Sequence, residues 1–135
     1  MRRGTLHHIE LNVSDLARSC EFWGWLLARL GYAEYQRWDC GCSWLLDATY
    51  IVLVQTESRF LNAGYHRGRT GLNHLAFQVE DPTAVDELVA ELRARGSDVL
   101  YRDRHPYAGG AEHYAAFFED PDRIKIEIAS TPPRR

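Results

Sequence analysis

The chain contains 135 residues, of which 45% are apolar and 26% are charged, and its formal net charge is −3. These values are typical of one globular domain, and the small negative charge excludes the basic field that nucleic-acid binding needs. The sequence has no run of about 18 apolar residues, so we expect no membrane-spanning helix. The first residues lead into strand-like sequence without the apolar segment of a signal peptide, so we expect a cytoplasmic protein with no membrane or nucleic-acid partner.

The three cysteines are Cys20, Cys40 and Cys42. An odd count without a framework of spacings argues against a disulfide scaffold. Cys40 and Cys42 form a C-x-C pair, and no second pair completes a structural zinc site. We therefore expect reduced, unpaired thiols.

The first half of the chain opens with a strand and a helix. Polar and apolar residues alternate from Leu6 to Val13, which places His8, Glu10 and Asn12 on one polar face. Asp15 then offers an N-cap for a helix with apolar residues at helical spacing. The elements predicted in this half are strand 6–13, helix 16–30, and strands 32–38, 43–46 and 50–55.

The second half repeats this order. Leu72 to Val79 alternates and carries His74 on its polar face, and Asp81 followed by Pro82 is a strong helix start. In the last predicted strand, Glu127 lies on the polar face. The other elements predicted in this half are a helix that ends at Gly96 and strands over 98–102, 113–118 and 123–129.

The repeated order predicts an α+β fold of two βαβββ modules that pair into a cupped mixed sheet. Each module alone is too small to bury much apolar surface, so we expect one domain. The predicted domain spans 1–135 and consists of module one at about 4–57, a linker at 58–70 and module two at 71–130.

Two histidines and a carboxylate, His8, His74 and Glu127, lie on the polar faces of three predicted strands. Imidazole and carboxylate together suit a divalent first-row metal, and three ligands leave positions open for water or substrate. Any one of these residues alone is an ordinary polar residue, so the prediction rests on their equivalent positions. Glu10, two residues from His8, is a candidate catalytic base, or else a solvated strand residue.

Three stretches resemble the vicinal oxygen chelate superfamily, which includes glyoxalases, extradiol dioxygenases, fosfomycin-resistance enzymes and bleomycin-binding proteins. They are His8 to Leu16, Gly71 to Phe77, and Phe118 to Glu127 with its D-P-D turn. The resemblance covers nearly the whole chain. It implies a cup of paired modules, a small-molecule substrate, and His8 and His74 with Glu127 as ligands of a divalent metal such as iron, nickel, zinc or manganese.

The chain departs from this pattern in two places. Arg123 stands where the closing turn commonly has glycine, and strand 50–55 lacks the glutamate that is a fourth ligand in glyoxalase I. Gln55 is the candidate ligand there, through its amide oxygen. The resemblance therefore implies a glyoxalase-like lyase or isomerase, or a dioxygenase. The alternative is a drug- or natural-product-sequestering protein of the bleomycin-binding type, which the aromatic content favours and the complete ligand triad disfavours.

Further residues are weaker candidates. His7 is predicted to point away from His8. The helix predicted at 16–30 is apolar on two sides, which favours a homodimer or contact with both halves of the chain. The remaining candidates are the loop residues His105, Tyr107 and His113, which could close over a cleft, and the arginines Arg37, Arg67, Arg69 and Arg104, which could receive an anionic substrate or simply be solvated.

Overall fold

The computed structural model of the chain describes residues 3–133. Contacts divide the chain into two compact units, Met1–Gly64 and Tyr65–Arg135, called unit one and unit two below. Unit one contains β1 (His8–Val13), α1 (Leu16–Arg29), β2 (Ala33–Trp38), β3 (Gly41–Leu46), β4 (Thr49–Gln55) and a 3-10 helix (Ser58–Ala63). Unit two contains β5 (His74–Gln78), α2 (Pro82–Ala94), β6 (Ala115–Glu119) and β7 (Lys125–Ala129).

Unit one is a four-stranded mixed sheet in the order β1-β4-β3-β2, in which only the β1–β4 pair is parallel. The register aligns His8 with Tyr50 and Glu10 with Val52. Because side chains alternate along a strand, these residues share one face of the sheet. The opposite face carries the buried Leu11 and packs on α1.

Unit two is a three-stranded mixed sheet in the order β5-β7-β6, again with a parallel pair, β5–β7. Glu127 on the central strand pairs with Ala76 of β5 and Phe117 of β6. The Asp81 carboxylate caps α2 by accepting from Ala84 N at 2.9 Å. The buried face of this helix consists of Val85, Leu88, Val89 and Leu92.

The α+β class with mixed sheets is confirmed, but the strand predicted at 98–102 does not form. Asp98 Oδ1 accepts from Val99 N at 2.7 Å, and Tyr101 has a φ of 57°. Leu100 N donates to Phe117 O at 2.7 Å, which is a single bridge to β6. The contact of the Asp98 side chain with the next backbone amide and the left-handed conformation of Tyr101 disfavour an extended strand, so within the described residues unit two has the order βαββ.

The cysteine prediction was also wrong for two of the three residues. Cys20 of α1 and Cys42 of β3 form a disulfide, because α1 packs against β3, while Cys40 is free and exposed. Neither helix within residues 3–133 has the length and hydropathy needed to cross a membrane.

Candidate functional site

The parallel pairing of β5 and β7 brings His74 and Glu127 into contact. His74 Nε2 lies 3.1 Å from Glu127 Oε2, although the two residues are 53 positions apart in the chain. The side chain of Glu127 is only 9% exposed, and that of His74 is 33% exposed. A buried carboxylate of this kind requires a hydrogen-bonded or positively charged partner, because its desolvation is otherwise unfavourable.

Asn73 determines which nitrogen of His74 faces that carboxylate. His74 Nδ1 donates to Asn73 Oδ1 at 2.6 Å, since an amide oxygen can only accept. With Nδ1 donating to Asn73, a neutral ring would present the lone pair of Nε2 to Glu127 Oε2 at 3.1 Å, whereas an imidazolium would donate to it. Two ligand atoms each about 2.1 Å from one ion lie roughly 3.0–3.4 Å apart, so the pair fits two positions around a divalent metal.

The second oxygen of Glu127 is held from another direction. His113 Nε2 donates to Glu127 Oε1 from the turn that precedes β6. A Cβ placed on Gly109 would lie 2.6 Å from His113 Cδ2, so the turn needs glycine at that position for the histidine ring to pack against its backbone. The carboxylate thus has a histidine on each oxygen.

These three side chains line a cleft in unit two with a volume of about 1040 Å³. The cleft is mostly apolar and is bordered by the turn that carries Gly109 and Gly110. Its lining consists of His74, Ala76, Phe77, Gln78, Gly109, Gly110, Ala111, Glu112, His113, Phe117, Glu127, Ala129, Thr131, Pro132 and Pro133.

In unit one, His8 occupies the position on β1 that His74 occupies on β5. Its ring stacks on Tyr50 with centroids 4.6 Å apart and an interplanar angle of 4°. The prediction that His7 points away from it was wrong, because the two Nδ1 atoms lie 2.8 Å apart and the His7 ring also contacts Tyr50. Glu10 is exposed on the His8 face, next to the buried Val52.

Gln55 is not placed to act with His8. Strand alternation puts it on the opposite face of β4, and its amide fastens the start of α1 to the end of that strand. Its Oε1 accepts from Leu16 N at 2.9 Å, and its Nε2 donates to Ser14 O at 2.9 Å and Thr56 O at 3.2 Å. We therefore remove Gln55 from the ligand set.

The structure brings together His74 and Glu127, while His8 belongs to unit one and its place in the site stays a prediction. Among residues 3–133, no group of three or more His, Cys, Asp and Glu side chains converges as a metal site would. Sequence reasoning missed the roles of Asn73 and His113. Asn73 could have been found as the polar neighbour of a candidate ligand, whereas no local pattern pairs His113 with a residue on β7.

The other loop candidates have different surroundings. Burial lowers the pKa of His105, and the nearby Arg93 acts in the same direction, against the weaker opposite effect of Asp86 and Asp98. Arg37 pairs with Glu34 at 2.6 Å. Arg67 pairs with the Glu119 carboxylate, also at 2.6 Å.

Comparison with known proteins agrees with this architecture. The sequence model of the glyoxalase/bleomycin resistance protein/dioxygenase superfamily matches residues 7–117. The chain is 58% identical over 125 residues to YqjT of Bacillus subtilis strain 168, an uncharacterized protein, and the match covers 93% of this chain and 98% of YqjT.

Two solved structures show the range of similar folds. A Bacillus halodurans protein, provisionally described as a glyoxalase, is 54% identical with a TM-score of 0.93, covering 96% of this chain and 97% of that one. The fosfomycin resistance protein FosX of Listeria monocytogenes shares the fold at 22% identity and a TM-score of 0.68, covering 97% and 96%. The chain therefore belongs to the glyoxalase/bleomycin resistance protein/dioxygenase superfamily, which is the vicinal oxygen chelate superfamily.

Proposed function

We propose that the protein is a metal-dependent enzyme that acts on a small oxygenated substrate, with His8, His74 and Glu127 as the metal ligands. The observation that carries this proposal is the His74–Glu127 pair, in which Nε2 lies 3.1 Å from a buried carboxylate while Nδ1 is held by Asn73 Oδ1 at 2.6 Å. A divalent ion bound there would polarise neighbouring oxygens of the substrate and stabilise an anion derived from it. Glyoxalase-like lyase or isomerase chemistry and dioxygenase chemistry are both compatible with this ligand set.

The residues around the ligands have supporting roles in this proposal. Asn73 holds the tautomer of His74, and His113 holds one oxygen of Glu127 so that the other faces His74. Such outer contacts orient ligands and commonly change metal affinity. Glu10, exposed on the His8 face of β1, is the proposed base that accepts a proton from the substrate.

Elemental analysis of the purified full chain tests the proposal. We expect close to one divalent ion per ligand set in the wild type and a loss of at least about tenfold in His74→Ala. His66→Ala is the matched control, because His66 is an exposed histidine of the same unit whose Nδ1 accepts from Gly68 N. Equal metal content in the His74 variant and the control would refute the metal site.

Metal identity separates the two reaction classes. Iron together with substrate-dependent oxygen consumption would support dioxygenase chemistry. Nickel or zinc with activity under anaerobic conditions would support the lyase or isomerase class.

A second candidate function is the sequestration of a drug or natural product. It is favoured by the cleft in unit two, whose volume of about 1040 Å³ is large enough for a drug-sized molecule and whose walls include Phe117 and Pro132. Chelator-treated protein would then bind an aromatic compound tightly, as measured by isothermal titration calorimetry. Binding that is unchanged in both His8→Ala and His74→Ala would favour this function over the enzyme.

We also propose that the protein is a homodimer. The supporting observation is β2, an edge strand of its sheet whose six residues are all exposed, including Tyr35 at 49% and Trp38 at 44%. Exposed aromatic residues on a sheet edge are favourable contact surface for a partner. Light scattering after size-exclusion chromatography would give the mass directly, and a monomer across micromolar concentrations would refute the dimer.

A further inference from the structure

Lys125 is the only lysine in a sequence with 16 basic residues. It lies at the start of β7, two residues before Glu127, and the register places it between His74 of β5 and Glu119 of β6. All four side chains lie on the same face of the sheet. A single ammonium group therefore stands next to the proposed metal ligands of unit two.

The nearest carboxylate in the register does not neutralise this ammonium. Glu119 Oε2 is bound by Arg67 Nη1 at 2.6 Å and by Arg123 Nε at 3.1 Å. Lys125 Nζ instead lies 3.2 Å from the hydroxyl of Tyr101. Across residues 3–133, Lys125 forms no ion pair with a carboxylate.

The hydrogen bond to Tyr101 leaves donors directed outward. An ammonium group has only donors, so the Tyr101 oxygen accepts, and its own hydrogen remains available for another acceptor. A second cation is close by, because Arg104 Cζ lies 4.9 Å from the centroid of the Tyr101 ring and Lys125 Nζ lies 5.5 Å from it. In the described part of the chain Arg104 also has no carboxylate partner. Two cations thus lie next to the phenol of Tyr101, and neither is paired with a carboxylate of the described residues.

Phe117 connects this cluster to the site. Its ring centroid is 6.1 Å from that of His74, 5.6 Å from that of Tyr101 and 5.7 Å from Lys125 Nζ. Tyr101 also has a φ of 57°, a left-handed conformation that is unfavourable for an aromatic residue. Strained residues of this kind concentrate at binding and catalytic sites.

We propose that Lys125, Tyr101 and Arg104 form a subsite for an oxyanion of the substrate. The substrate is then a small molecule that carries a carboxylate, phosphate or phosphonate group. The ring of Phe117 lies between the position of this group and the proposed metal ligand His74. This inference deepens the proposed function and rests on it, because the anion is taken to belong to the molecule that the metal binds. Charge-assisted hydrogen bonds from Lys125 and Tyr101 would hold the anion, and the exposed Arg104 would attract it.

The single lysine supplies a specific probe. Full-length protein grown with ¹³C-labelled lysine gives one signal for the ε-methylene group, which adjoins the ammonium of Lys125. The chelator-treated protein is titrated with acetate and with inorganic phosphate, at an ionic strength kept constant with chloride. We expect a saturable shift of this signal with one or both anions, and the stronger of the two identifies the carboxylate or the phosphate class. A shift that grows linearly, as with chloride alone, overturns the subsite.

Variants locate the binding among the three residues. Lys125→Met, which keeps the aliphatic stem, should weaken anion binding measured by calorimetry roughly ten- to hundredfold, and Tyr101→Phe about tenfold. Arg104→Ala should weaken it about threefold, because this guanidinium is exposed. Arg102→Ala is the control: it removes a neighbouring positive charge that is already paired with Asp98 at 3.2 Å, and it should leave binding unchanged. Equal losses in the Arg102 and Arg104 variants would reduce the effect to net charge and refute the subsite.

The two proposals can fail separately. Anion binding is measured without metal, and metal content is measured without an anion. Lys125→Met should keep the metal content of the wild type, because Lys125 is not a ligand. Metal lost in His74→Ala with no saturable anion binding refutes only the subsite, whereas anion binding in a protein that takes up no metal refutes only the metal enzyme.

Discussion

The two units place a histidine at the same point of the same strand pair and surround it differently. In unit one, β1 runs parallel to β4, and His8 stacks on Tyr50. In unit two, β5 runs parallel to β7, and His74 faces Glu127. The residue of β4 that corresponds to Glu127 is Val52, which is only 1% exposed.

This difference shows what the repeat determines and what it leaves to individual residues. The repeated strand order determines that each histidine lies on the polar face at the start of an edge strand. The chemistry depends on the neighbouring strand, which supplies a carboxylate in one unit and a valine in the other. A strand that starts with a histidine is therefore common to both units, and the adjacent strand decides whether a carboxylate lies beside that histidine.

The largest effect, a loss of bound metal, is expected from removing the Glu127 carboxylate that distinguishes unit two. Glu127→Val gives β7 the side chain that β4 has at the corresponding position, and metal content should fall at least about hundredfold, because a ligand is lost along with its contacts to two histidines. Elemental analysis against Glu80→Val, an exposed glutamate of the same unit, is the measurement. Metal retained in the Glu127 variant would show that the carboxylate is not a ligand.

The reverse change tests unit one. Val52→Glu places a carboxylate at a buried position whose register neighbour is Glu10, while the His8 ring stays stacked on Tyr50, and the free energy of unfolding at pH 7 should fall by about 3 kcal/mol. Urea denaturation measures the loss. Val54→Glu, two residues further along the same face and half-buried, should cost clearly less. Equal losses at the two positions would contradict the burial argument.

Asn73 provides a smaller test of the histidine orientation. Asn73→Ala releases the Nδ1 of His74, so the ring can rotate and change tautomer, and metal affinity should fall roughly tenfold. Competition with a chelator gives the affinity, and the exposed Asn62 supplies the control variant Asn62→Ala. If both variants bind metal as the wild type does, the Asn73 contact has no orienting role.

The smallest effect concerns how each helix is fastened to its sheet. In unit one Gln55 and the Cys20–Cys42 disulfide make this link, whereas in unit two the Tyr114 hydroxyl donates to Asp86 of α2 at 2.6 Å. That hydrogen bond raises the pKa of Tyr114 from 10.0 to about 12. The raised value belongs to the folded state, so the stabilisation is complete below pH 10 and is lost as the pH rises through about 12.

Tyr114→Phe should therefore remove one tyrosine from the end of a near-ultraviolet pH titration and make unfolding less dependent on pH between about 10 and 12. The control is Tyr107→Phe, which keeps the ring that contacts Tyr114. An unchanged high-pH step in the Tyr114 variant would assign that step to another tyrosine.

Local patterns were sufficient to predict most of the elements. Alternation predicted the strands that carry His8, His74 and Glu127, and the Asp81-Pro82 start of α2 is as expected. These features depend on neighbouring residues, which a sequence displays directly. The pairing of His74 with Glu127 was expected only as part of a wider site, and the structure gives it as a contact within unit two.

The errors arose where a side chain competes with the backbone or where distant segments meet. Asp98 and Tyr101 interrupt a segment whose composition favours a strand. Gln55 was predicted as a ligand without regard to its face; it lies an odd number of residues from Val52, and a shift of one residue reverses a strand's faces. His113 reaches Glu127 across 14 residues, and only the folded turn shows that contact.

The strand order gives the two members of the His74–Glu127 pair different freedom to move. Within unit two, β7 is hydrogen-bonded to a neighbour on each side, whereas β5 is bonded to one. Opening β5 breaks a single ladder, so hydrogen exchange should be faster at the β5 amides bonded to β7 than at those joining β7 to β6. In the proposed metal site the carboxylate is then the more rigid ligand, and ions of different radius would be accommodated by small displacements of the strand that carries the histidine.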